Sequence, residues 1–230
     1  MFLPSETARP HPNRGSVGSN RKRQGFTLSE IMIATFVASL TFTMISALAI
    51  QSAEIMFTTR HKLGINSDVR SFTQDLFGEA REANAFFLYR SITATDRDAT
   101  ADQLDDGEAG DMLVLVTLEP HPNESDPLHY TEISIYYRDT NEEDEGPVRR
   151  INHTFSTPAD PSLATVESYV STAINQGSEV ELVDLAKGLA NDYLFQNLRD
   201  KSVIVNGQII HGNAAKEVTD TYNFAIYPRN

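Results

Sequence analysis

Residues 21–40 read "RKRQGFTLSEIMIATFVASL", three basic side chains, a glycine and a glutamate ahead of an apolar run that continues to Ile50. Between Ile31 and Ile50 twenty residues carry no charge, and fifteen of them are apolar. The other five, Thr35, Ser39, Thr41, Thr43 and Ser46, carry hydroxyls that can bond back to helical carbonyls. At ~1.5 Å per residue a twenty-residue helix spans ~30 Å, the hydrocarbon thickness of a bilayer. A plain anchor gives no role to Glu30 at the edge of this run, nor to Gly25 five residues before it.

Working outward, the segment before the run is basic and the segment after it is acidic. Residues 1–25 hold five Lys/Arg (Arg9, Arg14, Arg21, Lys22, Arg23) against Glu6, a balance of +4, which leaves −17 for the remainder of a chain whose net charge is −13. With three prolines and few apolar side chains, the leader is expected to be disordered. The cluster Arg21, Lys22 and Arg23 beside the apolar run predicts a cytoplasmic N-terminus and a translocated body. An acidic body argues against nucleic acid as a partner, because phosphate contacts need Lys and Arg. The chain has no cysteine, which removes disulfides, thiolate metal sites and cysteine nucleophiles.

Three readings of the N-terminus compete. Ala47-Leu48-Ala49 has the small-x-small form of a secretory cleavage site, although the run exceeds the usual ~7–15 residue core of such signals. An uncleaved signal anchor accounts for the length and for the basic flank. The third reading is a resemblance. "KRQGFTLSEIMIA", residues 22–34, closely resembles the processing site of type IV prepilins and type II secretion pseudopilins. Basic cluster, Gly, Phe, Thr-Leu, Glu and a twenty-residue span stand in the order of that family, over roughly residues 21–55.

The resemblance implies that a prepilin peptidase/methyltransferase cuts after Gly25 and N-methylates Phe26. Glu30 then becomes the fifth mature residue and, within a filament, the partner of a neighbouring subunit's N-terminal amine. A buried carboxylate left unpaired would be costly, so such a pair can set the register between subunits. The bland reading of Glu30 is an interfacial carboxylate solvated by headgroups. Many major pilins carry a proline in the apolar run, and here none occurs between Pro12 and Pro120, which points to a minor pilin or minor pseudopilin. Partners implied are the peptidase, other pilins or pseudopilins, an inner-membrane assembly platform and membrane lipids. The implied location is the bacterial inner membrane, single-pass, with a periplasmic body, and then a pilus or pseudopilus.

The expected fold class is α+β, a pilin-like long N-terminal helix packed on an antiparallel sheet. The domain plan is a cleaved leader over 1–25, a membrane and filament-core helix over 26–52, an amphipathic helix over 53–89 and a β-rich body over 90–230. Ile65, Val69, Phe72, Leu76, Ala80, Ala83 and Phe87 recur at steps of three and four, one helical face in need of a cover. Gly64 and Gly78 weaken that helix locally. Residues 91–111 read as a solvated acidic loop. Strands are expected at Met112–Val116 and at Thr131–Arg138, the second alternating between a buried and a solvated face, and again at Val148–Phe155 after the turn "NEEDEGP". Residues 156–178 read as an irregular connection, Glu181–Ala190 as a short helix and Asp192–Leu198 as a strand. Asn206-Gly207 suggests a hairpin turn, and Tyr222, Phe224 and Ile226 a last strand.

Other chemistry finds no footing. There is no GxxxxGK[ST] loop, so the chain is not expected to be an assembly ATPase, and no G-x-S-x-G elbow. His11, His61, His121, His129, His153 and His211 show no HExxH or HxxxH spacing. Asp96, Asp98, Thr100 and Asp102 have the alternating oxygens of a calcium loop but lack its sixth-position glycine and twelfth-position glutamate, where Ala101 and Gly107 stand. No catalytic residue and no cofactor is expected, with calcium at that loop the one candidate. The rival function is a monomeric membrane-anchored extracytoplasmic binding protein or enzyme with an uncleaved signal anchor.

Overall fold

Met112–Val116 decides how the body is layered. Alternate side chains of a strand point to opposite faces, and here both faces are dry: Leu113 and Leu115 join one buried cluster, Met112, Val114 and Val116 another. Two covers are therefore required. In the computed structural model, which describes residues 25–120, 128–139, 145–213 and 216–229, they are two helices. The first is α1 (Leu28–Glu82), whose Ile65, Phe72, Leu76 and Ala80 pack on the Leu113 side. The second is α2 (Val166–Gln176), whose Val166, Val170 and Ala173 pack on the Met112 side.

Between the helices lies an antiparallel sheet of nine strands: β1 (Ala85–Tyr89), β2 (Ala109–Gly110), β3 (Met112–Pro120), β4 (Leu128–Arg138), β5 (Glu145–Ala159), β6 (Ser178–Gly188), β7 (Phe195–Leu198), β8 (Ser202–Asn213) and β9 (Lys216–Ile226). The order is β1-β3-β4-β5-β6-β8-β7-β2, with β9 paired to the other side of β8. Strands β3 to β6 form the expected meander. A long N-terminal helix packed on an antiparallel sheet is the pilin-like α+β fold. The chain divides into two compact units after Ser52. The sheet and α2 lie wholly in the second unit, as does the part of α1 from Ala53 onward.

Several expectations are corrected. The helix expected through Tyr89 ends at Glu82, and Phe87 of its apolar face belongs to β1 instead. Asn84 makes the transition: its N–H donates to the Val116 carbonyl (2.8 Å) and its Oδ1 accepts from the Leu118 N–H (2.7 Å). The Ala83 carbonyl accepts from the Arg229 N–H (2.8 Å), so the segment that follows β9 closes the helix terminus. Residues 156–178 are not irregular, since they contain α2. Glu181–Ala190 is not helical: the segment forms most of β6, between β5 and β8, because pairing on both edges outweighs its helix-like spacing.

Asn206-Gly207 is not a turn either. Both residues lie inside β8, opposite Asn223 and Tyr222 of β9. Gly207 is there because the Tyr222 ring lies against the backbone, where a Cβ would sit 2.5 Å from Cζ. The chain reverses instead at Asn191-Asp192 (φ 55° and 69°) and at Arg199-Asp200 (φ 58° and 52°), residues held in the left-handed region. The turn "NEEDEGP" falls largely outside the described residues.

The face of β4 expected to meet water is buried too. Ser134 and Tyr136 lie under α1, where the Ser134 hydroxyl donates to Glu79 Oε2 (2.9 Å) and Tyr136 Oη donates to Asp75 Oδ2 (3.5 Å). Arg150 of β5 pairs with Asp75 and lies 3.6 Å from Glu79. Glu132 enters this acidic seam at a cost. Burial, then the neighbouring Glu79 and Glu82, raise its carboxyl above the usual range, and Arg150 only partly offsets them. A carboxyl raised by folding loses stability for the protein as pH climbs from the unfolded value through the folded one. Glu132→Gln is therefore expected to stabilise the chain by about 0.5 kcal/mol at pH 7. The gain should vanish in acid, where the native carboxyl is protonated as well. Urea unfolding midpoints of both forms across pH 4–7.5 check the sign.

Candidate processing and assembly site

The unit up to Ser52 carries the processing segment. Gly25, Phe26 and Thr27 precede α1 without regular structure, and Phe26 is 83% exposed. No atom lies within 4 Å of a Cβ built on Gly25. The Gly25–Phe26 peptide bond is thus in exposed, non-helical chain, the state in which a protease cleft can take a substrate strand.

What fixes the helix start is a reciprocal pair that motif reading passes over. Glu30 Oε2 accepts from the Thr27 N–H (2.8 Å) and from the Thr27 hydroxyl (2.9 Å), while the Glu30 N–H donates back to Thr27 Oγ1 (3.3 Å). Thr27-Leu-Ser-Glu30 is a capping box, in which two helix-end donors are satisfied by side chains. The Ile31 N–H to Thr27 carbonyl bond (3.2 Å) opens the helical ladder. Glu30 therefore has a partner inside its own chain, and its negative charge stands where the helix dipole favours it. The T-x-x-E spacing is the signal that identifies Thr27.

Beyond Glu30 the helix is built for an apolar surround. Phe26, Glu30, Ala34 and Ala38 recur every four residues and, with Ile31 and Thr35, line one shallow groove along it. Small residues there leave room for another helix to approach. Four of the five hydroxyls in the run bond back within the helix: Thr35 on Met32 O (3.0 Å), Ser39 on Phe36 O (2.9 Å), Thr41 on Val37 O (2.8 Å) and Thr43 on Ser39 O (2.8 Å). The large apolar side chains from Ile31 to Ile50 have about half or more of their surface exposed. By length and composition α1 can cross a membrane.

Residues 20–46 match the family described as Prokaryotic N-terminal methylation motif. This chain has a type IV prepilin-like N-terminus. The motif covers Gly25, Phe26 and Glu30 and implies processing by a prepilin peptidase. It also accords with an inner-membrane anchored prepilin, since α1 is apolar enough to span. The family is typically structural rather than enzymatic. No curated protein and no solved structure matches the chain. Arg21, Lys22 and Arg23 lie outside the described residues.

The candidate calcium loop does not converge on a common point. Asp96 Oδ2 accepts from the Ser91 hydroxyl (2.6 Å), Asp98 pairs with Arg97 (2.9 Å), and Asp102 Oδ2 accepts from the Ala99 N–H (2.9 Å). Among the described residues no three acidic or histidine side chains gather as metal ligands.

Proposed function

We propose that this prepilin-like chain is a structural minor subunit of a type II secretion pseudopilus or a type IV pilus. Its peptidase cuts after Gly25, Phe26 is N-methylated, and the subunit assembles through the first half of α1. The observation that carries this reading is the placement of a capped helix start two residues beyond an exposed Gly25–Phe26 bond, with Glu30 fifth after the cut. The leader stays cytoplasmic, α1 holds the precursor in the inner membrane, and the acidic body stands in the periplasm. On assembly the body faces outward while residues 26–52 enter the filament core. The absence of cysteine favours a minor over a major subunit.

The capping box gives Glu30 two successive partners. In the precursor it holds Thr27. In the filament it takes the charged amine that cleavage creates on a neighbouring Phe26. Glu30→Gln removes that charge from the assembly contact while keeping an acceptor for Thr27 and leaving the Gly25–Phe26 bond and the span intact. Processing and membrane insertion should stay at the level of the unaltered chain. Recovery of the subunit in sheared filaments should fall by at least about tenfold, the factor set by ~1.4 kcal/mol. Unchanged recovery would remove Glu30 from assembly, and lost processing would move its role to the peptidase.

A further inference from the structure

We infer that the polar cavity over the Asp111–Arg138 pair is a binding site for a neutral saccharide, with the Tyr193 ring as its platform. The cavity has a volume of about 520 Å³, within the ~300–1,000 Å³ range of ligand pockets. Arg90, Ser91 and Asp96, which follow β1, form one wall, and the turn Asn191-Asp192-Tyr193 ahead of β7 forms the other. Among the described residues Tyr193 is its one aromatic side, and the rest of the lining is polar or charged. A second cavity of about 280 Å³ adjoins it across Arg90, Asn191 and Tyr193, which gives a saccharide of several rings a further place to rest.

The walls are set before a ligand arrives. Asp111 and Arg138, with side chains 4% and 2% exposed, are joined at 2.7 Å and 3.1 Å, and Arg138 Nη2 also donates to the Asp192 carbonyl. The Ala190 and Tyr193 backbones bond each other both ways (2.9 and 3.1 Å) around Asn191 and Asp192, whose φ values of 55° and 69° make a tight hairpin turn. The Arg90 guanidinium stands 5.7 Å from the Tyr193 ring centre. Walls held in this way need little ordering on binding. Charge then selects the ligand. An anion meets the carboxylates of Asp96, Asp111 and Asp192, and a cation meets the guanidiniums of Arg90 and Arg138. A hydroxyl both donates and accepts, so a neutral hydroxyl-rich ring suits both kinds of wall. Its C–H face complements the negative face of an aromatic ring. The site lies wholly in the body and does not depend on entry into a filament.

The chain contains no tryptophan, so Tyr193→Trp keeps an aromatic platform and makes it the one indole reporter. The full chain is held in a polyoxyethylene detergent, which carries no sugar to compete. Maltotriose, cellotriose and chitotriose present α-linked, β-linked and N-acetylated neutral rings. At least one should shift the indole emission saturably, while trigalacturonate, trilysine and glycylglycine (anion, cation and zwitterion) should not at the same concentration. Saturation-transfer NMR on the unaltered chain should pick out the same saccharide, which keeps the test sound if the indole disturbs the fold. Asp192→Gly retains the turn, because glycine takes positive φ freely, and it should weaken the affinity at least about tenfold, the loss of one charge-assisted hydrogen bond. Asn191→Gly, on the same terms, should weaken it about threefold. The proposal is overturned if none of the three saccharides binds by either readout. A charged probe that binds as well as the saccharide overturns it too, as does an affinity untouched by both glycine variants.

Discussion

Gly25→Val is expected to leave the chain as an unprocessed precursor, with at least about tenfold less mature protein than the unaltered chain. Glycine lets the backbone lie in conformations closed to residues with a Cβ, and valine is the stiffer for its β-branch. The precursor itself has room for the change, because nothing lies within 4 Å of the added Cβ. The loss must therefore arise when the peptidase takes the strand, and a tenfold effect needs only ~1.4 kcal/mol less stabilisation of the transition state. The ratio of precursor to mature chain after a short pulse of synthesis reads it. Processing at the ordinary rate would place the cut at another bond.

Asp111→Ala is expected to cost the body about 3–5 kcal/mol, the range for breaking a buried ion pair on one side only. Asp111 and Arg138 have side chains 4% and 2% exposed and join twice, Nη2 to Oδ2 at 2.7 Å and Nε to Oδ1 at 3.1 Å. The pair also organises the chain around it. Asp111 Oδ1 accepts from the Leu194 N–H (2.9 Å), and Arg138 Nη2 donates to the Asp192 carbonyl inside the left-handed turn. Alanine would take the carboxylate away from a buried guanidinium and release the Leu194 N–H from its acceptor. Urea unfolding of the detergent-solubilised chain should show the midpoint falling steeply. The double change Asp111→Leu with Arg138→Met should recover much of it, since buried pairs often gain little over apolar residues of similar size.

Neither Asp111 nor Arg138 announces its burial. Asp111 ends an acidic stretch that reads as solvated loop, and Arg138 continues the polar half of an alternating strand. A pattern of alternation shows where an apolar face is, but not whether the polar face meets water or another layer. For β4 the other layer is α1, and the acids Asp75 and Glu79, which lie off the apolar stripe, are its polar contact with the sheet.

Other parts are open to reading from local pattern. The α1 stripe Ile65, Phe72, Leu76 and Ala80 is legible from spacing alone, and it is buried as expected. The unbroken apolar run Met112–Val116 already requires cover on both faces. Val166, Val170 and Ala173 supply the second cover at steps of four and three, a signal that the reading of residues 156–178 as irregular passed over. The end of α1 is misread because Phe87 keeps the spacing of the stripe, although Asn84 is followed by the strand-prone Ala85-Phe-Phe-Leu-Tyr89. By contrast, β6 cannot be told from a helix locally, because its pairing with β5 and β8 is tertiary and leaves no local mark. Gly207 looks like a turn as long as the Tyr222 ring across it is out of view.

At the processing segment Gly25, Phe26 and Glu30 are legible because their order carries the resemblance. Thr27 is less conspicuous, although its spacing to Glu30 states the capping box outright. That box sharpens the picture of the site: the carboxylate that caps the start of the helix is the one proposed to take a neighbour's amine after cleavage.

The measurement that tests the account most directly is mass spectrometry of the N-terminal peptide of the membrane-bound chain. The account predicts a chain beginning at N-methylated Phe26. An intact leader ahead of Gly25, or a chain beginning at Ile50, would contradict it.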